Sequence, residues 1–203
     1  MRNIHEVGGS DSILVKTKYN KLYTNYEMCD DRYMEIWDLY DKDENLIGKD
    51  WERSKVSSIP DGCYHLACEI LVRHVDGDFL ITQRDFSKYL WPGHWEATSG
   101  GSAVKGETAL DCAKRELFEE TGILAEDFIE IGFSVEDGTH AIFHSFLTTV
   151  SCAKDSVVLQ KGETINYKWI SKNELIEFMK TDEMGHDQIM RYAAYVESLK
   201  KTA

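Results

Sequence analysis

The chain has 203 residues, 42% of them hydrophobic, enough for one ample domain plus an appendage. A formal net charge of −13 without any basic stripe repels polynucleotides, so a nucleic-acid polymer is excluded as the main partner. No run of about 18 apolar residues is present to cross a membrane, and the opening MRNIHEVGGSDSILV lacks the apolar core of a signal peptide. Residues 1–32 read as an N-terminal extension in which 12–15 and 21–23 are short strands or a helical arm. From Met34 the pattern sharpens into an alternating strand to Tyr40, with a polar turn over 41–45. Residues 46–48 lead into 49–53, and 59–62 read as a loop. An apolar run over 64–73, the turn Asp76-Gly77-Asp78 and a return over 79–84 predict a hairpin.

Arg84 closes that hairpin. A loop over 85–93 and a short strand over 95–100 follow. Further strands are predicted at 128–135, 141–150 and 167–170, with a turn at 136–139. Ser171 and Glu174 have the spacing of a capping box, which starts a helix over 172–180. A last helix spans 187–200, with Ile189, Ala193, Val196 and Lys200 at helical spacing. Five cysteines with no CxxC spacing predict buried free thiols in a reducing, cytoplasmic setting. The scattered histidines 65, 74, 140, 144 and 186 read as core or surface residues.

Between these elements lie residues 101–123, GSAVKGETALDCAKRELFEETGI. On a helix, Glu116 and Glu120 share a face with Glu119 one step round, and Leu110, Ala113 and Leu117 form a docking stripe. Clustered carboxylates raise one another's pKa and select hard divalent cations, although an ion-paired solvent face, with Arg115 and Glu119 at i,i+4, is the commonplace outcome for such a run. Gly122 suits the position just past a helix end.

The constraint is tighter than a charge run. Gly101, Glu107, Arg115, Glu116, Leu117, Glu119, Glu120, Gly122 and Ile123 fall at the spacings of the Nudix box, and none departs from it. The stretch therefore resembles the box of Nudix hydrolases, which cleave a nucleoside diphosphate linked to another moiety. The resemblance implies an α/β/α sandwich with a mixed sheet between helices, covering 33–203 as one domain. It implies Mg2+, or Mn2+ in its place, held by Glu116, Glu119 and Glu120 with a backbone carbonyl of Gly100 or Gly101. Glu107 would partner Arg115 and fix the loop to the helix, both counting with the catalytic set. The general base is left open between Glu119 and Glu163, and Arg84 and Trp95 would bind a small phosphorylated substrate. A homodimer is neither required nor excluded.

The region upstream, with Asn45, Gly48, Arg53, His65 and Arg84, resembles the Nudix branch related to isopentenyl-diphosphate isomerase. That branch raises an isomerase as the alternative, yet Gly100 stands where its cysteine acid/base would be. Ser58 replaces one of its histidines, and residues 138–141 hold no acidic pair. A non-catalytic binding domain on the same fold is a third reading, which would be expected to have lost the box carboxylates.

Overall fold

The computed structural model describes residues 35–201, so the expected segments at 12–15 and 21–23, and Met34, lie outside the described residues. β1 (Ile36–Tyr40) and β2 (Leu46–Glu52) form a separate antiparallel hairpin. Asp41 shapes its turn, its Oδ1 accepting the N–H groups of Asp43 and Asn45, each at 2.9 Å. Alternation puts Trp37 and Leu39 inward against Ile59 in a small core of their own. A 3-10 helix, Arg53–Ser58, follows where the sequence carried no helical period.

The main sheet is built on β3 (His65–His74), which pairs in parallel with β8 (Ala141–Val150) and antiparallel with β4 (Phe79–Arg84). The path runs β5 (Trp95–Ala97), β4, β3, β8 and β7 (Phe128–Glu136), while β6 (Ser99–Ser102) pairs β3 and β9 (Thr164–Ile170) pairs β4. The expected strand over 95–100 is thus two strands with different partners. Thr98 makes the switch: its hydroxyl donates to Leu80 O at 2.7 Å and accepts Val72 N–H at 2.9 Å. Thr82 in turn donates to Thr98 O at 2.7 Å.

Because β3 alternates, Leu66, Cys68, Ile70 and Val72 join the core under α1 (Ala109–Thr121), and Leu71 joins the opposite one. That second core lies under α2 (Lys172–Phe178) and α3 (His186–Lys201). Helices on both faces of a mixed sheet make the α/β/α sandwich expected.

Two details correct the expected helix faces. Leu110 is 39% exposed, and Cys112 takes its place beside Ala113 and Leu117. In α3 the buried stripe is Tyr192, Val196 and Leu199, with Ala193 and Lys200 exposed, because the larger apolar side chains gain most from leaving water. The capping box of α2 forms as expected, and α1 has a second one from Thr108 and Asp111. Gly122 ends α1 at φ +69°, its N–H donating to Phe118 O.

Candidate active site

α1 carries its charged residues on a face bridged to the preceding loop. Arg115 donates from Nε and NH2 to both carboxylate oxygens of Glu107 at 2.8 and 2.9 Å, the fork-to-fork pairing expected for these two. Its NH1 reaches Glu116 at 2.7 Å and Glu119 at 3.1 Å, and NH2 also reaches Ser102 O at 3.1 Å. Burial opposes the guanidinium charge, but the Glu107 bonds and Glu116 more than offset it, so its pKa is raised. The hairpin holds the same loop from outside. Lys105 N–H donates to Ile36 O and Gly106 N–H to Asp38 Oδ2, both at 2.8 Å.

Gly101 explains how Glu116 reaches the sheet. A Cβ there would lie 2.1 Å from Glu116 Oε1, so only glycine admits the carboxylate against the strand. Glu116 is pushed up to about 7, chiefly by burial, with Arg115 opposing and Glu119 adding to the rise. Glu119 is more exposed and is raised by burial in the same way. Glu120 is 6% exposed, and its Oε2 has no hydrogen-bond partner. Burial raises its pKa most, followed by the charges of Glu96, Glu116 and Glu163, with Lys88 opposing.

A cleft of about 550 Å3 runs past Gly100, Gly101 and Ser102 and is also lined by Arg84, Trp95 and Glu96. The helix acids do not line it, and Glu116 comes closest, against the Gly101 backbone of its wall. Arg84 is held in place: NH1 donates to Glu96 at 2.8 Å and Nε to Leu90 O at 3.1 Å. Trp95 has the Lys168 ammonium 3.9 Å from its ring centre and meets Phe178 edge-on. Glu163 pairs with Lys88. Its loop is drawn to α1 by Gln160 N–H donating to Glu120 O at 3.2 Å and to the cleft by Asp85 N–H donating to Glu163 O at 2.8 Å.

Sequence reasoning missed Glu96, whose carboxyl is pushed up to about 7 by burial against the opposing charge of Arg84. Its place beside Trp95 in a strand of alternating residues was the available signal. Lys88 and Trp37 were missed as well, being set by loop and hairpin packing.

His65 is 5% exposed and stacked on Trp37 at 4.0 Å. Burial lowers it to about 4, against the bond to Leu66 O, and Arg53 and His140 lower it further. Between pH 6.5 and about 4 the unfolded chain therefore binds a proton that the folded imidazole refuses, and stability falls as pH falls. The expected loss by pH 4 is about 3 kcal/mol. Urea unfolding at pH 7 and pH 4 should show that much less acid sensitivity in His65→Asn.

The donor set suits a hard divalent cation: three carboxylates on one helix, that of Glu120 with an orphaned buried oxygen and that of Glu116 against a glycine backbone that leaves room for it. Among the described residues no three acids, histidines or cysteines stand close enough to form a ready coordination sphere. The cause is visible in Arg115, which draws Glu116 and Glu119 to its own NH1.

Comparison with known proteins decides the family. The family model for the NUDIX domain matches residues 64–193. The chain belongs to the Nudix hydrolases. The uncharacterized Nudix hydrolase lmo0368 of Listeria monocytogenes is 32% identical over 145 residues, 70% of this chain and 83% of the relative. An isopentenyl-diphosphate Delta-isomerase of Corynebacterium diphtheriae is 27% identical over 121 residues, 55% of this chain and 66% of the relative. In fold, this Nudix chain resembles DR0079 of Deinococcus radiodurans, with a TM-score of 0.64 at 16% identity, covering 79% of this chain and 99% of that one. Membership in the Nudix hydrolases makes it a pyrophosphohydrolase. No described helix is long and apolar enough to cross a membrane.

Proposed function

We propose that this chain is a divalent-cation-dependent hydrolase of the phosphoanhydride linkage in a nucleoside diphosphate, or in a small molecule linked to one, by attack of water on phosphorus. Glu120 carries the reading. A carboxylate buried among Glu96, Glu116 and Glu163 with an unpartnered oxygen is costly unless a cation joins it. Glu116, Glu119 and Glu120 hold Mg2+, or Mn2+ in its place, with the carbonyl of Gly100 or Gly101. When bound, the cation supplies charge neutralisation for the diphosphate and makes water more acidic.

The chain's own groups do the rest. Glu107 and Arg115 are positioning residues that fix the loop to α1. Arg84, clamped by Glu96 and Leu90 O, turns its remaining N–H groups to a phosphate oxygen, and Trp95 borders the bound substrate. Either Glu119 or Glu163 takes the proton of the attacking water. The true base is the one whose Gln variant loses the acidic limb of the kcat/KM–pH profile and about 100-fold in rate; the other variant keeps that limb.

The isomerase relative motivates a second reading, which Gly100 disfavours. A Cβ there would meet Cys68 O at 2.7 Å, so the strand has no room for the cysteine that chemistry needs. The free thiols of Cys63, Cys68, Cys112 and Cys152 suit a reducing cytoplasm, and we take residues 33–203 as one catalytic domain after an extension at 1–32. The test is release of phosphate or nucleotide from nucleoside diphosphates, nucleoside diphosphate sugars, dinucleoside polyphosphates, coenzyme A and isopentenyl diphosphate, with Mg2+ and with Mn2+. Cation-dependent cleavage of one class supports the proposal. Isomerised isopentenyl diphosphate without any hydrolysis would replace it.

A further inference from the structure

The loop between β4 and β5 forms one lip of the cleft, which Leu90 and Trp91 border directly. Its backbone is tied down. Gln83 Nε2 donates to Gly93 O at 2.9 Å, His94 N–H donates to Trp91 O at 3.2 Å, and the Phe86 ring fills the place that a Cβ of Gly93 would take. On this frame Trp91 is held at φ +51°, a left-handed conformation that is costly for a bulky residue. Core packing does not account for that cost, because Trp91 remains 40% exposed and Leu90 61%. The indole touches Gly185, where a Cβ would lie 3.5–3.6 Å from ring atoms Cγ, Cδ1 and Cδ2, and it forms a T-shaped pair with His94 at 5.2 Å. Gly185 is itself anchored close by, since Trp95 N–H donates to Glu183 O at 2.8 Å.

Position decides what covers the open part of the ring. Arg84 Nε donates to Leu90 O at 3.1 Å, so the guanidinium read above as the phosphate donor is bonded to the residue next to Trp91. A phosphate held at Arg84 places whatever is attached to it beside the indole. The neighbouring Trp95 is engaged, with the Lys168 ammonium 3.9 Å from its ring centre and Phe178 edge-on. Trp91 is the tryptophan of this end that keeps a wide exposed surface. A planar ring laid on it leaves water and gains stacking at once.

We propose that Trp91 is the stacking platform for the nucleobase of the substrate, with Leu90 beside it. The lip of the cleft then selects nucleoside diphosphate compounds over diphosphates that lack a planar ring. The inference rests on the hydrolase reading above and deepens it by assigning the base to this end.

The experiment is calorimetric titration of ADP, GDP, UDP and inorganic diphosphate, in Mg2+, into wild type, Trp91→Gly and Trp91→Tyr. Glycine suits φ +51° and removes the ring, whereas tyrosine keeps an aromatic face. The tightest of the three nucleotides should bind Trp91→Gly about tenfold more weakly or worse, the effect of one lost base stack. Trp91→Tyr should keep most of the affinity, and inorganic diphosphate should bind all three proteins alike. For a nucleoside diphosphate compound that is cleaved, KM should rise in Trp91→Gly by the same factor while kcat holds. Should glycine lower the Tm, Trp91→Leu, which has apolar bulk without a π face, is read by the same comparison. Nucleotide affinity unchanged without the ring would overturn the platform. So would nucleotide and inorganic diphosphate weakened alike, or a wild type that binds them equally. Failure of the hydrolase reading is seen separately, as no cleavage with either cation in a protein whose nucleotide affinity still follows residue 91.

Discussion

Glu120→Gln is expected to cut hydrolysis about 1000-fold, the upper end of what one lost electrostatic contact costs, while making the cation-free protein more stable. Both effects come from one carboxylate. Glu120 is buried, its Oε2 is unpartnered, and Lys88 is the cation opposing the field of Glu96, Glu116 and Glu163. Glutamine keeps the shape and removes the charge. For a carboxyl whose folded pKa is raised, the stability it contributes is fully present below the unfolded value, about 4.3, and is lost as pH rises through the folded value. In EDTA the ionisation of Glu120 should therefore cost the wild type stability as pH rises from about 4.3 to 8, against the opposite contribution of His65 that both proteins share, and the variant should lack that part of the loss. Some slope remains in the variant, because Glu96 and Glu116, each pushed up to about 7 mainly by burial, still titrate in that window. Urea unfolding at pH 5 and pH 8, beside the rate with Mg2+, measures both effects. A variant as active as wild type, or one less stable at pH 8, would remove Glu120 from its proposed role.

Much of this was legible in the sequence because its cause is local. The capping box of α2 and the Gly122 terminus each depend on residues close along the chain, and each is found where the spacing put it, while the Arg115–Glu107 pair is the one that the resemblance to the Nudix box implied. The strands of β3, β4, β7 and β8 follow from apolar runs between turn residues. What was not legible depends on partners far apart. Nothing near residue 98 announces that a strand changes neighbours there; the bonds to Val72, Thr82 and Leu80 do so. The buried face of α3 was misjudged because Ala193 fits the period while Tyr192 has the surface to bury. Glu96 and Trp37 were missed for the same reason. A glutamate in a strand and a tryptophan in a hairpin are ordinary residues until folding sets them against Arg84 and His65.

Arg115→Met should destabilise the protein by about 3–5 kcal/mol, because it leaves a cluster of buried acids without their cation. The Arg115 side chain is 13% exposed and serves Glu107, Glu116, Glu119 and the carbonyl of Ser102 at once. Methionine fills a similar volume, so the loss reports charge rather than packing. In a chain of this size that is roughly 10 °C in Tm. Arg115→Lys should fall between the two, since an ammonium cannot fork across Glu107 and reach Glu116 together. Removing one acid as well, in Arg115→Met/Glu107→Gln, should restore part of the stability by relieving the charge left behind. Mg2+ gives the sharper discrimination. If Glu116 and Glu119 turn from Arg115 to a cation, as proposed, saturating Mg2+ should raise the Tm of Arg115→Met more than that of wild type, because the acids no longer have to leave a guanidinium to bind it. Equal Mg2+ shifts in the two proteins would mean that Arg115 and the cation do not share these carboxylates. An Arg115→Met protein as stable as wild type would mean that the whole ion-pair cluster contributes nothing net to the fold.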